Sequence, residues 1–141
     1  MKNRIVLICL SLGLLSCESS HVVTNRKQMK KAFIYDFKIT YFRKLLLAGY
    51  NNTGGIKSAI NEDQSGFGEP ILSTDDHDLL DSIIKIDNDV MVKDSLGGRR
   101  RAEGAKGKRV LRYALNKYES KWLDSLAKAR SKIFMKELKG Q

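Results

Sequence analysis

The chain has few of the residue types that build most catalytic and metal sites. Its 141 residues include two cysteines, two histidines and one proline. His21 and His77 supply too few soft ligands for a zinc site, which needs three or four protein ligands. A serine–histidine–aspartate triad would have to use His77, which stands in an acidic stretch. The sequence therefore predicts a protein that is not an enzyme and holds neither a metal nor a cofactor.

Long apolar runs are also missing. The apolar segment at residues 5–15 is shorter than the roughly 20 residues that span a hydrocarbon core. Lys2 and Arg4 precede it, an order typical of an export signal. It ends at Leu14-Leu15-Ser16-Cys17, which resembles a lipobox, where a signal peptidase cuts before a lipid-bearing cysteine. We predict a cleaved signal over residues 1–16 and lipidation of Cys17. An ordinary secretory signal and a buried apolar segment are the alternatives.

Cleavage of that signal would change which cysteines and how much charge the mature protein keeps. Cys9 would leave with the signal and Cys17 would carry lipid, so no thiol remains for an intramolecular disulfide. Residues 17–28 are predicted to form a lipidated tether, because they begin polar and lack helical periodicity. Residues 29–141 would then be one domain in the bacterial envelope, facing the periplasm. The mature chain keeps 24 basic and 16 acidic side chains, a formal charge of +8.

Most of that excess charge lies in one glycine-rich connection. Between Arg99 and Arg112, seven basic side chains are balanced only by Glu103. Nucleic acid is not the expected partner, because an exported protein rarely meets it and no aromatic side chain interleaves the cluster to stack on bases. The cluster indicates anionic lipid headgroups or an acidic protein partner, with a solvated loop as the alternative.

Four segments have apolar residues at helical spacing. The first covers residues 29–48, and the third covers residues 108–118. The second begins at Ser73 or Thr74, with carboxylates in its first turn that favour the helix dipole. The last carries an apolar stripe formed by Trp122, Leu123, Leu126, Ala129 and Ile133. Residues 56–60 are a candidate short helix, residues 87–98 are ambiguous, and no strand pair is evident. The sequence predicts an all-α domain, a small bundle of about four to five helices.

Two of these segments resemble the type VI secretion amidase immunity proteins. The first helix of that family is similar to Phe33-Ile34-Tyr35-Asp36-Phe37-x-Ile39-x-Tyr41-Phe42. Residues 110–124 are similar to a later helix followed by an aromatic residue, a polar break and a Leu-Asp pair, here Tyr118, Ser120-Lys121 and Leu123-Asp124. Glu119 and Trp122 depart from the usual His and Glu. Family cysteines near positions 42 and 114 are absent here, where Phe42 and Ala114 stand.

The resemblance implies a helical, non-enzymatic protein that binds and blocks an amidase that cuts peptidoglycan stem peptides. Family members are often dimeric, which leaves a homodimer open. Two polar segments are candidates for toxin binding, and one enters the cleft according to the sign of its charge. Their residues are Arg99, Arg100, Arg101 and Lys106 in the basic loop, and Asp75, Asp76 and Asp78 at the acidic helix start. The alternatives are a structural or adaptor lipoprotein that binds an anionic surface through its basic loop, and a small envelope hydrolase.

The lipid prediction can be tested with one substitution. Cys17→Ala should abolish metabolic acyl labelling, because the thiol is the acceptor of the diacylglycerol. The substituted protein should remain uncleaved or become soluble on fractionation. Continued labelling and membrane association of Cys17→Ala would show that the lipobox interpretation is wrong.

Overall fold

A computed structural model of the chain describes residues 17–63, 71–96 and 107–139, with side chains from residue 25 onward. All regular structure in these ranges is helical, which confirms the predicted small all-α bundle. Its helices are α1 (Cys17–Gly49), α2 (Gly54–Glu62), α3 (Thr74–Leu96), α4 (Val110–Tyr118) and α5 (Lys121–Glu137). The chain divides into two compact units, Met1–Ala32 and Phe33–Gln141.

In the first unit, the described residues form the beginning of α1. The helix starts at Cys17, whereas the sequence predicted an irregular tether over residues 17–28 and a helix from Met29. Apolar periodicity failed to detect this stretch because it reports burial, and residues 25–32 are exposed apart from half-buried Met29. Neither glycine nor proline interrupts the chain between Cys17 and Gly49, so nothing local ends the helix earlier.

The core of the second unit forms around one face of α1. Phe33, Phe37, Tyr41 and Leu45 recur every four residues and are fully buried, because this spacing places them on one side of a helix. The other helices contribute side chains to the same cluster. They are Ile60 of α2, Leu80, Ile84 and Met91 of α3, Val110 and Ala114 of α4, and Leu123 and Ala127 of α5.

Side-chain contacts give the direction of the helices. Phe33 stacks on Phe134 with ring centroids 4.9 Å apart, and Lys38 lies 3.9 Å from Asp124. Later residues of α1 therefore meet earlier residues of α5, so the two helices are antiparallel. In α3, Asp76 meets Arg130 and Asp87 meets Lys117, which makes α3 antiparallel to the α4–α5 segment as well.

The turn after α1 is fixed from two sides. Gly49 packs on α4 so closely that an added Cβ would lie 2.4 Å from Val110 Cγ1. Asn51 and Asn52 adopt positive φ angles of 55° and 54°, which asparagine tolerates better than most residues. Lys108 Nζ donates to Asn51 Oδ1 at 2.7 Å and to Asn88 Oδ1 of α3 at 3.2 Å. We call this three-residue contact the Lys108 clasp; it joins the residues just before α4 to the turn after α1 and to α3.

Two sequence interpretations change at α3 and α5. The ambiguous residues 87–96 continue α3 as a helix to Leu96. On α5 the buried stripe is Leu123, Ala127 and Ser131. The predicted apolar stripe lies elsewhere on the helix, since only its Leu123 is buried. Its remaining members are exposed or half-buried, with Trp122 at 47% and Ile133 at 43% exposure. Small Ala127 and Ser131 are fully buried, which lets α5 approach its neighbours closely.

The buried stripe of α5 gives a stability prediction. Leu123→Ala should lower the free energy of unfolding by about 2–5 kcal/mol, because Leu123 is fully buried and its removal leaves a cavity. Leu115→Ala, at a residue of α4 that is 48% exposed, should change it by about 0.5 kcal/mol or less. Urea unfolding followed by circular dichroism measures both. Equal losses for the two variants would contradict this packing of α5.

Candidate functional site

A buried carboxylate joins three helices near the centre of the second unit. Asp87 of α3 is 3% exposed. Its Oδ2 accepts a hydrogen bond from Tyr41 Oη of α1 at 2.5 Å, and its Oδ1 accepts one from Tyr113 Oη of α4 at 2.7 Å. Lys117 Nζ, also from α4, lies 2.7 Å from Oδ1. We call these four residues the Asp87 cluster.

The phenols of the cluster hold their protons. Burial raises the pKa of Tyr41 well above its ordinary value of 10.0, and the hydrogen bond and negative charge of Asp87 raise it further. The same causes, in the same order, raise the pKa of Tyr113. Both side chains therefore act at neutral pH as hydrogen-bond donors to the carboxylate rather than as bases or nucleophiles. This arrangement favours a structural role for the cluster over a catalytic one.

Sequence reasoning did not single out the Asp87 cluster, although a signal was present. Leu80, Ile84, Asp87 and Met91 follow one another at spacings of four, three and four, and all are buried. An aspartate in register with an apolar stripe needs buried partners, because an unpaired charge in the interior is very costly. The segment was ambiguous in the sequence because the exposed valines beside Met91 fit a strand as well as a helix.

A second buried carboxylate corrects one predicted site residue. Asp76, expected at a toxin-facing surface, is 3% exposed. It accepts hydrogen bonds from Ser73 Oγ at 2.8 Å and from Ser73 N at 3.1 Å, and its own N–H lies 3.2 Å from Ser73 Oγ. This reciprocal pair caps α3 in the manner of a capping box. Arg130 Nε of α5 donates to its other oxygen at 2.6 Å. Both carboxylate oxygens of Asp76 are therefore already hydrogen-bonded within the protein.

Exposed and half-buried apolar side chains form one regular stripe on α3 and another on α5; among them, Leu79, Ile83 and Leu126 also pack against the core. Both have spacings of four, three and four residues, which place each stripe on one side of its helix. The stripe of α3 is Leu79, Ile83, Ile86 and Val90, and the stripe of α5 is Trp122, Leu126, Ala129 and Ile133. We call these eight residues the outer face. Among its large side chains, the most exposed are Ile86 at 64% and Trp122 at 47%.

The two stripes lie on the same side of the bundle. Each residue advances a helix by about 100°, so the α3 stripe is centred about 50° from Asp76 and about 90° from the centre of the buried stripe. On α5, the outer stripe is centred about 70° from Arg130 and about 130° from the centre of the buried stripe. Because Asp76 and Arg130 join the two helices, both stripes flank this ion pair on its solvent side. We therefore interpret the two stripes as parts of one surface.

Charged residues mark the borders of the outer face. Asp75 and Asp78 are exposed on the first turns of α3, next to the α3 stripe. At the start of α5, the Trp122 ring lies 4.9 Å from Lys117 Nζ, and this lysine also pairs with Asp87. The lysine thus links the outer face to the Asp87 cluster.

The remaining predicted site residues fall outside this surface or outside the described residues. Arg99, Arg100, Arg101 and Lys106 lie in the range 97–106, which the structure does not describe. The predicted signal over residues 1–16 also lies outside the described residues. Cys17 is the first residue of α1. His77 is half-buried in the first turn of α3. In residues 17–63, 71–96 and 107–139, no group of three histidine, cysteine, aspartate or glutamate residues could hold a metal.

The comparisons with known proteins found no match. No protein-family model, curated protein or solved structure matches the chain. Among the described helices, none combines the length and apolar character of a membrane span. The resemblance to the amidase immunity proteins remains a prediction from two helical segments, and the geometry of the residues carries the functional argument.

The Asp87 cluster predicts an alkaline pH dependence of stability. In wild type, folded Tyr41 keeps its proton above pH 10, whereas the unfolded chain releases it near the ordinary pKa of 10.0. Its contribution is complete below pH 10 and is lost as pH rises, by about 1.4 kcal/mol per pH unit. Tyr41→Phe should cost about 1–3 kcal/mol at pH 7, because Asp87 loses a donor. That difference should shrink between about pH 10 and pH 11.

Denaturant titrations across this range measure the difference between the two proteins. Tyr35→Phe is the matched control, since it removes the same hydroxyl from a side chain that is 51% exposed. A difference between wild type and Tyr41→Phe that stays constant up to pH 11 would contradict a buried, protonated Tyr41.

Proposed function

We propose that this protein is an envelope lipoprotein that binds and inhibits a peptidoglycan amidase, protecting its own cell as an immunity protein. The observation that carries the proposal is the outer face. Four of its members, Ile86, Val90, Trp122 and Ile133, are between 43% and 64% exposed. Continuous apolar surface of this kind marks binding sites in soluble domains, and tryptophan is enriched among the residues that dominate binding energy.

The construction of the outer face suits inhibition. Its two helices are joined beneath the surface by the Asp76–Arg130 ion pair, and the Asp87 cluster ties α3 to α1 and α4. A surface fixed in this way loses little conformational entropy on binding. An inhibitor of this type need not imitate the substrate. It has to cover the entrance of the cleft and exclude the glycan-linked peptide.

Charge would guide the encounter between inhibitor and amidase. The Arg99-Arg100-Arg101 run and Lys106 are the proposed contacts for an acidic cleft, because arginine is enriched among interface hot spots and glycine residues let a backbone enter a narrow groove. Asp75 and Asp78, exposed at the border of the outer face, are the contacts for a basic one. Either arrangement would speed association and make it depend on salt concentration.

The lipid on Cys17 would hold the inhibitor in the envelope, facing the periplasm, where such an amidase cuts. This localisation follows from the proposed lipobox. The lipid anchor and the inhibition of an amidase are independent proposals, so either can be wrong without affecting the other. A second copy of the chain is the other occupant that the outer face could accept, which would make the protein a homodimer. The experiment below separates the two occupants.

The test compares two pairs of exposed apolar residues. Ile86→Ser with Trp122→Ala should weaken inhibition of the proposed partner, a peptidoglycan amidase to be sought among the products of neighbouring genes, by about 100-fold or more, the loss expected for two central interface residues. Leu111→Ser with Leu115→Ser removes leucines of α4 that are 56% and 48% exposed and lie outside the outer face, and should leave inhibition unchanged. The inhibition constant and the molar mass in solution are measured for each protein.

Three results would contradict parts of the proposal. A wild-type protein that neither binds nor inhibits the amidase would overturn the function itself. Equal inhibition by the wild type and the Ile86–Trp122 double variant would remove the outer face from the toxin interface. A wild-type dimer that this double variant converts to a monomer with full inhibition would assign the face to a second copy.

A further inference from the structure

Residues 25–32 of α1 carry only positively charged side chains among their ionisable groups. Arg26, Lys27, Lys30 and Lys31 are exposed. No aspartate or glutamate occurs between Glu18 and Asp36, so no acidic neighbour along the helix balances them. No acidic side chain of the described residues forms an ion pair with any of the four. The charge of this segment is therefore available to an external partner.

Helical geometry gathers these charges on one side. At about 100° per residue, the four basic side chains fall within an arc of about 140°. The rest of the circumference carries uncharged residues only, namely Asn25, Gln28, Met29 and Ala32. We call the four basic residues the basic face of α1. A flat anionic surface could contact all of them at once.

The helix also sets the distance between the basic face and Cys17. At a rise of about 1.5 Å per residue, the four charges lie about 14–21 Å along the axis from Cys17. An extended tether would allow roughly 30–50 Å. The electrostatic reach of a membrane surface is only about 8 Å at physiological salt. A helix pinned at Cys17 and lying along the surface would keep the whole basic face within that reach.

We propose that the basic face of α1 binds the anionic phospholipid headgroups of the membrane that holds the anchor. The inference rests on the proposed lipidation of Cys17 and is independent of the amidase. Lipid is favoured over an acidic protein because the segment directly follows the lipidated residue, so headgroups are always at high local concentration. Residues 25–32 also lack the aromatic anchors that dominate protein interfaces.

The functional consequence is control over orientation. A single flexible lipid tether would leave the protein free to tumble above the bilayer. Two linked attachments, acyl chains and a basic face, restrict the beginning of α1 to the membrane plane. Each basic residue at an anionic surface strengthens binding by about fivefold, so the four together form a substantial second contact.

Lysine acylation of the lipidated protein tests the proposal. The protein is purified from envelopes and reconstituted into vesicles that contain phosphatidylglycerol or consist of phosphatidylcholine alone. Lys27, Lys30 and Lys31 should react about threefold or more slowly in the anionic vesicles at low salt. At about 1 M salt, where the screening length falls to about 3 Å, the difference should vanish. Lys121 and Lys132, exposed on α5, are internal controls and should react equally in both vesicles.

A charge-matched pair of variants extends the test. Arg26→Gln, Lys27→Gln, Lys30→Gln and Lys31→Gln together should speed transfer of the lipidated protein out of anionic vesicles by at least about tenfold. Lys121→Gln, Lys128→Gln, Lys132→Gln and Lys136→Gln remove the same charge from α5 and should leave transfer unchanged.

The outcomes separate this inference from the proposed anchor. Equal reactivity of Lys27, Lys30 and Lys31 in both vesicles, in protein whose acyl chains are verified by mass spectrometry, would overturn the inference and leave the anchor intact. Protection seen in whole envelopes but absent from pure lipid vesicles would also overturn it, and would point to an acidic protein instead. Protein that carries no acyl chains would refute the lipobox interpretation and, with it, the premise of the inference.

Discussion

The arrangement of the bundle depends on satisfying one buried charge. Asp87 lies in the interior of the second unit and needs hydrogen-bond donors that its own helix cannot supply. Tyr41, Tyr113 and Lys117 provide them from α1 and α4. Apolar contacts tolerate small shifts of one helix against another, whereas these bonds fix position along each axis. Apolar residues of similar volume could stabilise the interior equally well, so stability alone does not require a buried charge. We therefore interpret the cluster as the contact that sets the register of α1, α3 and α4.

The second buried carboxylate extends the same control to α5. Asp76 caps the start of α3 through Ser73 and reaches Arg130 on α5. Between them, the two aspartates of α3 bond to side chains of α1, α4 and α5, while α1 and α5 also meet directly through the Phe33–Phe134 and Lys38–Asp124 contacts. The outer face follows from this arrangement. Once Asp76, Leu80, Ile84, Asp87 and Met91 face inward, Ile86 and Val90 are left toward solvent.

The sequence predicted the helices well and the buried polar contacts poorly. The apolar face of α1 could be derived because Phe37, Tyr41 and Leu45 repeat every four residues and are buried. Asp76 was expected at the surface because the helix dipole alone explains a carboxylate in a first helical turn. The sequence gives no sign of its contact with the distant Arg130. The stripe of α5 was assigned to the core because Trp122 and Ile133 are more apolar than Ala127 and Ser131. Burial follows closeness of approach as well as hydrophobicity, and the sequence alone does not give the interhelical distance.

The Lys108 clasp has a consequence for how the protein can diversify. It ties the chain just after residues 97–106 to Asn51 and Asn88, while α3 is held before that stretch by Met91 in the core. Changes of length or composition between these fixed points need not disturb the contacts on either side. A segment held between such fixed points can vary in sequence while the buried contacts of the surrounding helices are preserved. The arginine-rich stretch and the helices that flank it are thus expected to diverge at different rates among relatives.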